Sequence, residues 1–180
     1  GQTRDYANSS IAGIMTYLGF SDVTILVWRG IAAACVIVSI VFLLRWRDRD
    51  EVMWVTTTAG VLLVGVFLIS SLGQMYYSML LVPMFFTVLS NRSVMHSPIA
   101  WLGLYFCMSL DEWMSDRWVW AGRIFEYSRG TIGWGLLLVS VTTTIVVWTM
   151  VERKQGRHIL GDIHENGWWP KANRTVAASE

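Results

Sequence analysis

Charge is what this sequence lacks most. Only 15% of its 180 residues are Asp, Glu, Lys or Arg, whereas about a quarter of a typical soluble domain is charged. Proline is nearly as scarce, with three. Two of these, Pro83 and Pro98, interrupt or begin apolar segments. The two cysteines, Cys35 and Cys107, both lie inside apolar runs. They read as small packed hydrophobes, not as a disulfide, and leave the redox compartment open. The three histidines, His96, His158 and His164, form no metal-ligating pattern, since the last two are six apart and do not share a helical face. No glycine-rich nucleotide loop, serine elbow, redox cysteine pair, internal repeat or low-complexity tract is present. These absences give no support to soluble nucleotide-dependent chemistry or nucleic-acid binding. No cofactor is implied, and a metal requirement stays open.

What is present is apolar. Hydrophobic residues make up 54% of the chain, mean hydropathy is +0.45 and there are eleven tryptophans, the composition of a polytopic membrane protein. A run of about 20 apolar residues crosses a hydrocarbon core about 30 Å thick. Ile25 to Leu44, Val52 to Leu72 and Ile132 to Val151 satisfy this. Two shorter runs, Tyr76 to Leu89 and Ile99 to Leu110, are either two spans or one hairpin dipping from one face. Arg92 and His96 at their shared tip favour full crossing, because a charge buried at mid-membrane is costly. The expected fold is all-α with about five spans. Residues 1–151 form a transmembrane helical domain and 152–180 a cytoplasmic tail.

Basic residues orient the bundle. With the segment after the first span inside, the inner loops hold nine of the fourteen Arg and Lys, and Arg4, Arg29, Arg117, Arg123 and Arg129 face out. The N-terminal segment, the loop around Gln74 and a Trp-rich stretch then converge on the outer face. The polar start, without an initiator Met, predicts a C-terminal portion of a larger protein.

Three outer segments carry candidate chemistry. In Arg4 to Ser10, Asn8, Ser9 or Ser10 suits a helix N-cap before the amphipathic stretch Ile11 to Phe20, whose free amides also suit an anion. In Ser71-Leu-Gly-Gln-Met-Tyr-Tyr-Ser78, Gln74 offers a donor and an acceptor, while Tyr76 and Tyr77 suit a sugar ring or a lipid head. An interfacial aromatic belt accounts equally for the two tyrosines. Between Asp111 and Arg129, Trp113, Arg117, Trp120 and Ile124 recur at helical spacing, as do Met114, Trp118, Ala121 and Phe125. That periodicity predicts a helix lying along the membrane surface, with or without a substrate. Asp111 and Glu112 are adjacent and point to different sides, which disfavours a paired acid and base. Arg29, within the first turns of a span, reads as a snorkelling cation.

Thr-Arg-Asp-Tyr-Ala-Asn-Ser-Ser at 3 to 10, Ser-Leu-Gly-Gln-Met-Tyr-Tyr-Ser-Met at 71 to 79, and Pro98 to Trp118 running into Gly122-Arg-Ile-Phe-Glu-Tyr127 closely resemble the C-terminal part of the arabinan-branching arabinofuranosyltransferases of actinobacteria. These sit within the wider family of polyprenyl-phosphate-dependent C-type membrane glycosyltransferases. Mannose-transferring relatives carry an Asn-Gln-Ser type motif at the first position and a histidine pair near the second, where this chain has Asn8-Ser9-Ser10 and Tyr76-Tyr77.

The resemblance implies the C-terminal half of a C-type glycosyltransferase fold in the plasma membrane, with its active side extracytoplasmic. It implies transfer of arabinofuranose from decaprenyl-phosphoryl arabinofuranose to an arabinan acceptor, forming α-1,3 branches of arabinogalactan and lipoarabinomannan. The catalytic base is implied to be an acidic residue of an early loop preceding Gly1, so that this chain, without its N-terminal half, is expected to be inactive. The roles that follow are donor phosphate contact for Arg4 or Arg117, sugar contact for Asn8, Gln74, Tyr76 and Tyr77, and acceptor stacking for Trp113 and Trp118. The alternatives are a polyprenyl-phosphate-mannose-dependent mannosyltransferase and a non-enzymatic translocation or scaffold subunit. The near absence of charge within the spans argues against a translocation path.

Overall fold

The structure is a computed structural model and describes residues 8–47, 50–71, 73–109 and 117–154. Six α-helices and four short 3₁₀ segments make up the described chain. The first helix, α1 (Ile11–Tyr17), is capped by Ser10, whose Oγ accepts from the Gly13 amide at 3.1 Å. It ends in a Schellman turn, where the Phe20 amide reaches the Met15 carbonyl at 2.9 Å and Gly19 takes φ +80°. A side chain at that φ is strained, so glycine is required there. Ile11 to Met15 are all buried. The first half of the amphipathic stretch is thus packed into one end of the bundle, while Tyr17, Leu18 and Phe20 remain exposed.

Helix α2 (Asp22–Leu43) starts at Ser21, whose Oγ accepts from the Thr24 amide at 3.3 Å, and passes into a 3₁₀ turn, Leu44–Trp46. Helix α3 (Glu51–Ile69) is capped by Asp50, whose Oδ1 accepts from the Met53 amide at 3.0 Å. Each has an acidic residue in its first turn, which complements the positive end of the helix dipole. The last helix, α6 (Val119–Lys154), has 36 residues. At about 1.5 Å per residue it is ~54 Å long, well beyond the ~30 Å hydrocarbon core. It contains the expected span from Ile132 and continues it by thirteen residues toward the N-terminus. The segment expected to form a surface helix is, from Val119 onward, continuous with the spanning helix. No proline interrupts it, and Gly130 and Gly133 lie at tight contacts that hold the helix in place.

Between α3 and α6 the chain makes a hairpin. Its first arm is a 3₁₀ segment, Met75–Leu81, then α4 (Val82–Phe86), then a 3₁₀ segment, Thr87–Leu89. Pro83 falls in the first turn of α4, where its missing N–H does no harm. Fifteen α-helical residues would reach about 22 Å, whereas this mixture, at about 2.0 Å per 3₁₀ residue, reaches about 28 Å. The second arm is a 3₁₀ turn, Val94–His96, and α5 (Pro98–Met108). At the tip Ser90 Oγ donates to Asp50 Oδ2 at 3.3 Å, and Arg92 lies 4.6 Å over the Trp46 ring and 3.8 Å from Glu152. The tip thus meets the end of α2, the start of α3 and the end of α6. The hairpin runs the full depth of the bundle.

Close helix crossings use small residues, as expected where lipid supplies no hydrophobic drive between helices. A Cβ on Gly103 of α5 would come within 2.8 Å of the Gly133 carbonyl oxygen, and one on Gly133 within 2.7 Å of the Cys107 amide nitrogen. Ser39 of α2 and Thr142 of α6 share a hydrogen bond at 2.9 Å. Trp134 sits fully buried at the centre, its Nε1 donating to Ser78 Oγ at 2.9 Å and its ring 5.1 Å from Phe67.

Candidate functional site at the Gln74 face

The end of the bundle that carries α1 and the start of the hairpin is tied by one side chain. Asn8, 3% exposed, donates from Nδ2 to the Ser71 carbonyl at 2.7 Å, and its Oδ1 accepts from the Ser10 amide at 3.1 Å and the Gly73 amide at 3.0 Å. The Ser9 amide donates to the Gly73 carbonyl at 2.7 Å, and the Thr131 hydroxyl, from α6, donates to the Ser9 carbonyl. Three stretches far apart in sequence are so joined in one knot. Gly73 has to be glycine, because a Cβ there would lie 2.6 Å from the Phe67 carbonyl oxygen and 3.2 Å from the Ser10 nitrogen. With both lone pairs of Oδ1 occupied, Asn8 keeps one amide hydrogen. It holds the loop more than it presents itself to a ligand.

Gln74 leaves this knot half-exposed and caps the first hairpin arm, its carbonyl accepting from the Tyr77 amide at 3.0 Å. The two tyrosines, which the sequence could not tell apart, are separated by the structure. Tyr77 is half-buried and stacks on Phe67 at 5.7 Å and 24°, and Phe67 in turn leans on Trp134. Tyr76 is 63% exposed and meets Tyr77 edge-on at 4.4 Å. A buried aromatic ladder therefore supports a single presented ring, the arrangement that lets an aromatic face receive a ligand without moving.

Of the remaining expected residues, Arg4 and Trp113 lie outside the described residues, as do Asp111 and Glu112. Arg117 and Trp118 are exposed and precede α6. Gly130 of α6 packs against the loop, where an added Cβ would meet Met75 Cγ at 2.9 Å and Ser9 Cβ at 2.7 Å. Arg117 is thirteen residues before it, about 20 Å along the helix direction. The α6 cation next to Gly130 in sequence is Arg129. It pairs with Glu126 at 2.9 Å and donates from Nη1 to the Ser109 carbonyl at 3.1 Å, so it fixes the end of α5 as well. Two residues earlier on α6, Tyr127 meets Tyr17 of α1 edge-on at 5.3 Å. The sequence reading placed Arg129 on this face and gave it no role. The Glu-Arg spacing of three on a helix was the available signal.

The opposite end holds a second cluster that the sequence did not suggest. Arg45 and Glu152, with side chains 1% and 6% exposed, form an ion pair at 3.3 Å, and the Trp46 and Trp148 rings meet at 5.9 Å beside them.

Chemically, the Gln74 face offers an amide and one presented aromatic ring on a loop that cannot shift freely, with the Arg129 guanidinium on α6 paired to Glu126. Of the carboxylates near it among the described residues, Glu126 is ion-paired and Asp22 occupies the first turn of α2. A half-exposed amide side chain and an exposed ring are groups suited to hydrogen bonding and stacking.

The class these features define is an all-helical polytopic membrane protein with a preorganised polar and aromatic loop at one face. Against known proteins, the chain is 42% identical over 167 residues to an alpha-(1->3)-arabinofuranosyltransferase of Corynebacterium glutamicum, covering 93% of this chain and 38% of that protein. It is 41% identical over 162 residues to a protein of the same name from Mycobacterium tuberculosis, covering 89% of this chain and 37% of that protein. A Mycolicibacterium smegmatis protein of that name is 40% identical over 156 residues. The similarity runs along the C-terminal part of these proteins, and the chain spans a little over a third of their length. No family model and no solved structure matches the chain.

Proposed function

We propose that this chain is the C-terminal membrane portion of a glycosyltransferase that moves an arabinofuranosyl residue from decaprenyl-phosphoryl arabinofuranose to cell-wall arabinan, forming α-1,3 branches of arabinogalactan and lipoarabinomannan. The observation that carries this reading is 42% identity across 93% of the chain to a protein named as an alpha-(1->3)-arabinofuranosyltransferase. The knotted loop supports it, since such transfer needs a sugar held still while a hydroxyl attacks. The protein lies in the plasma membrane with the Gln74 face extracytoplasmic and the Glu152 face inside, in keeping with the distribution of Arg and Lys.

In this reading Gln74 bonds the donor sugar through its amide and Tyr76 stacks on it. Tyr77 and Asn8 act one step back, as positioning residues that fix the Tyr76 ring and the loop. A guanidinium stabilises the departing polyprenyl phosphate, that of Arg4, Arg117 or Arg129. Trp113 and Trp118 stack on the acceptor. The acceptor hydroxyl gives its proton to a carboxylate that lies outside this chain, so the 180 residues alone are inactive.

The test is transfer in membranes that contain this chain, labelled decaprenyl-phosphoryl arabinofuranose and a short arabinan acceptor, with and without the N-terminal portion of a relative co-expressed. Branched product only when both are present is the expected result. No arabinose transfer in either case, with transfer from polyprenyl-phosphoryl mannose or from no donor, overturns it.

A further inference from the structure

Tryptophan collects at membrane interfaces, where one edge of the ring is wet and the other apolar. Trp134 of α6 has neither, being 0% exposed and closed in by protein. Its Nε1 donates to Ser78 Oγ at 2.9 Å, its ring lies 5.1 Å from Phe67, and a Cβ added to Gly73 would stand 3.1 Å from its Cζ3. Nε1 and Cζ3 are on opposite edges of an indole. One rigid ring therefore touches both ends of the stretch from Gly73 to Ser78, and Gln74 and Tyr76 lie between those ends. One turn away on the same face of α6, the Thr131 hydroxyl donates to the Ser9 carbonyl, so the helix that carries Trp134 is itself fixed to the knot. A position that needed only volume would be filled by Leu or Phe, which bring no donor into the core.

We propose that Trp134 is a positioning residue for the donor sugar, the spacer that holds the Gln74 amide and the Tyr76 ring at a fixed separation. This role rests on the transferase reading and lies one layer beneath it. Gln74 is extended and Met75–Leu81 is 3₁₀, a helix of poorer hydrogen-bond geometry than an α-helix, so the stretch does not hold its own length firmly. Asn8 ties the Gly73 end and the Trp134 N–H ties the Ser78 end. Two sugar contacts work together only while their separation is kept, and a misplacement of about 1 Å caused far from the chemistry costs about a hundredfold in rate. Without the spacer, the Tyr76 ring keeps its neighbours and takes more than one orientation.

The test uses the complete protein in detergent micelles, with fluorotyrosine at position 76, fluorine NMR spectra, and arabinose transfer measured in the same preparations. Ser78→Ala removes the acceptor with little change of volume, and Trp134→Phe removes the donor and keeps a ring against Phe67. The unaltered protein is expected to give one narrow resonance, and each variant a broadened or divided one. Each variant is expected to lower kcat about three- to tenfold with the donor KM little changed. In a Tyr76→Ala background the same changes are expected to cost less than about twofold further, because Trp134 acts through that ring. Ser78→Ala, the milder change, decides alone if Trp134→Phe does not fold. An unchanged resonance, unchanged transfer, a loss that repeats in full on top of Tyr76→Ala, or failure of both variants to fold leaves Trp134 a packing residue and overturns the proposal. The fluorine signal needs no sugar, so the two readings fail separately. A ring that loosens in the variants of a protein that transfers no arabinose keeps the spacer and removes the arabinosyl function, and transfer with a resonance indifferent to both variants does the reverse.

Discussion

The two ends of the bundle are held together by opposite chemistry. At the Gln74 face a neutral amide and backbone groups form short hydrogen bonds, with Asn8 at their centre and the one described ion pair, Glu126–Arg129, set to the side. At the Glu152 face the joint is ionic and aromatic, with Arg45 buried against Glu152, and Arg92 over Trp46. Neutral hydrogen bonds hold a loop in place without adding charge, so the field at the Gln74 face remains available to a ligand. A buried ion pair is specific but depends on both partners, because either one left alone in low dielectric is strongly destabilising. One end is thus arranged to present groups and the other to consume them.

This contrast can be broken most sharply at Glu152. Glu152→Gln leaves Arg45 buried without its counter-ion and is expected to cost about 3–5 kcal/mol, read as a large fall in unfolding temperature in detergent. The double change Arg45→Met, Glu152→Leu is expected to regain most of that loss. Asn8→Ala removes three hydrogen bonds and leaves the Gly73 and Ser10 amides unsatisfied, an expected cost of about 2–3 kcal/mol. Unlike the Glu152 variant, it is expected to lower transfer by more than its stability loss accounts for, as a kcat effect in the complete protein. Gly133→Ala sets a methyl against the Cys107 amide, and overpacking of that kind costs about 1–3 kcal/mol. It tests whether the hairpin is anchored to α6 by close backbone approach, and suppression by any single change on α5 other than one that makes room there would contradict this. Smallest in stability, at about 0.5 kcal/mol or less, is Tyr76→Ala. Its expected loss of transfer, at least tenfold, with Tyr76→Phe close to wild type, distinguishes a stacking ring from a hydroxyl contact. Equal losses in both variants would assign the role to the hydroxyl.

Much of the frame was legible because it rests on hydropathy. The runs read as Ile25 to Leu44 and Val52 to Leu72 correspond to helices Asp22–Leu43 and Glu51–Ile69, with ends displaced by a few residues toward their polar caps. The third run lies inside a far longer helix, because hydropathy marks where a helix crosses lipid and says nothing of where its hydrogen bonds stop. The 3₁₀ character of the hairpin's first arm was not legible either, since an unbroken apolar run carries no period. Arg45 follows a span and reads as an interfacial cation. Its partner Glu152 is more than a hundred residues away, and only the return of α6 brings them together. At the site, Gln74 stood out as a polar residue between apolar runs. Asn8 was visible as a cap residue, but its bond to Ser71 spans 63 positions and no local pattern encodes it.

Helix α6 bears on both ends, with Arg129 to Thr131 at the knot and Glu152 at the ionic joint. Some twenty residues of uninterrupted helix, about 30 Å, lie between them, and a helix of that kind transmits axial displacement with little compression. A shift of the segment following Glu152, by contact with another protein or with lipid heads, would therefore move the Thr131 hydroxyl relative to Ser9. The loop that presents Tyr76 is in this sense mounted on a push-rod whose other end lies across the membrane.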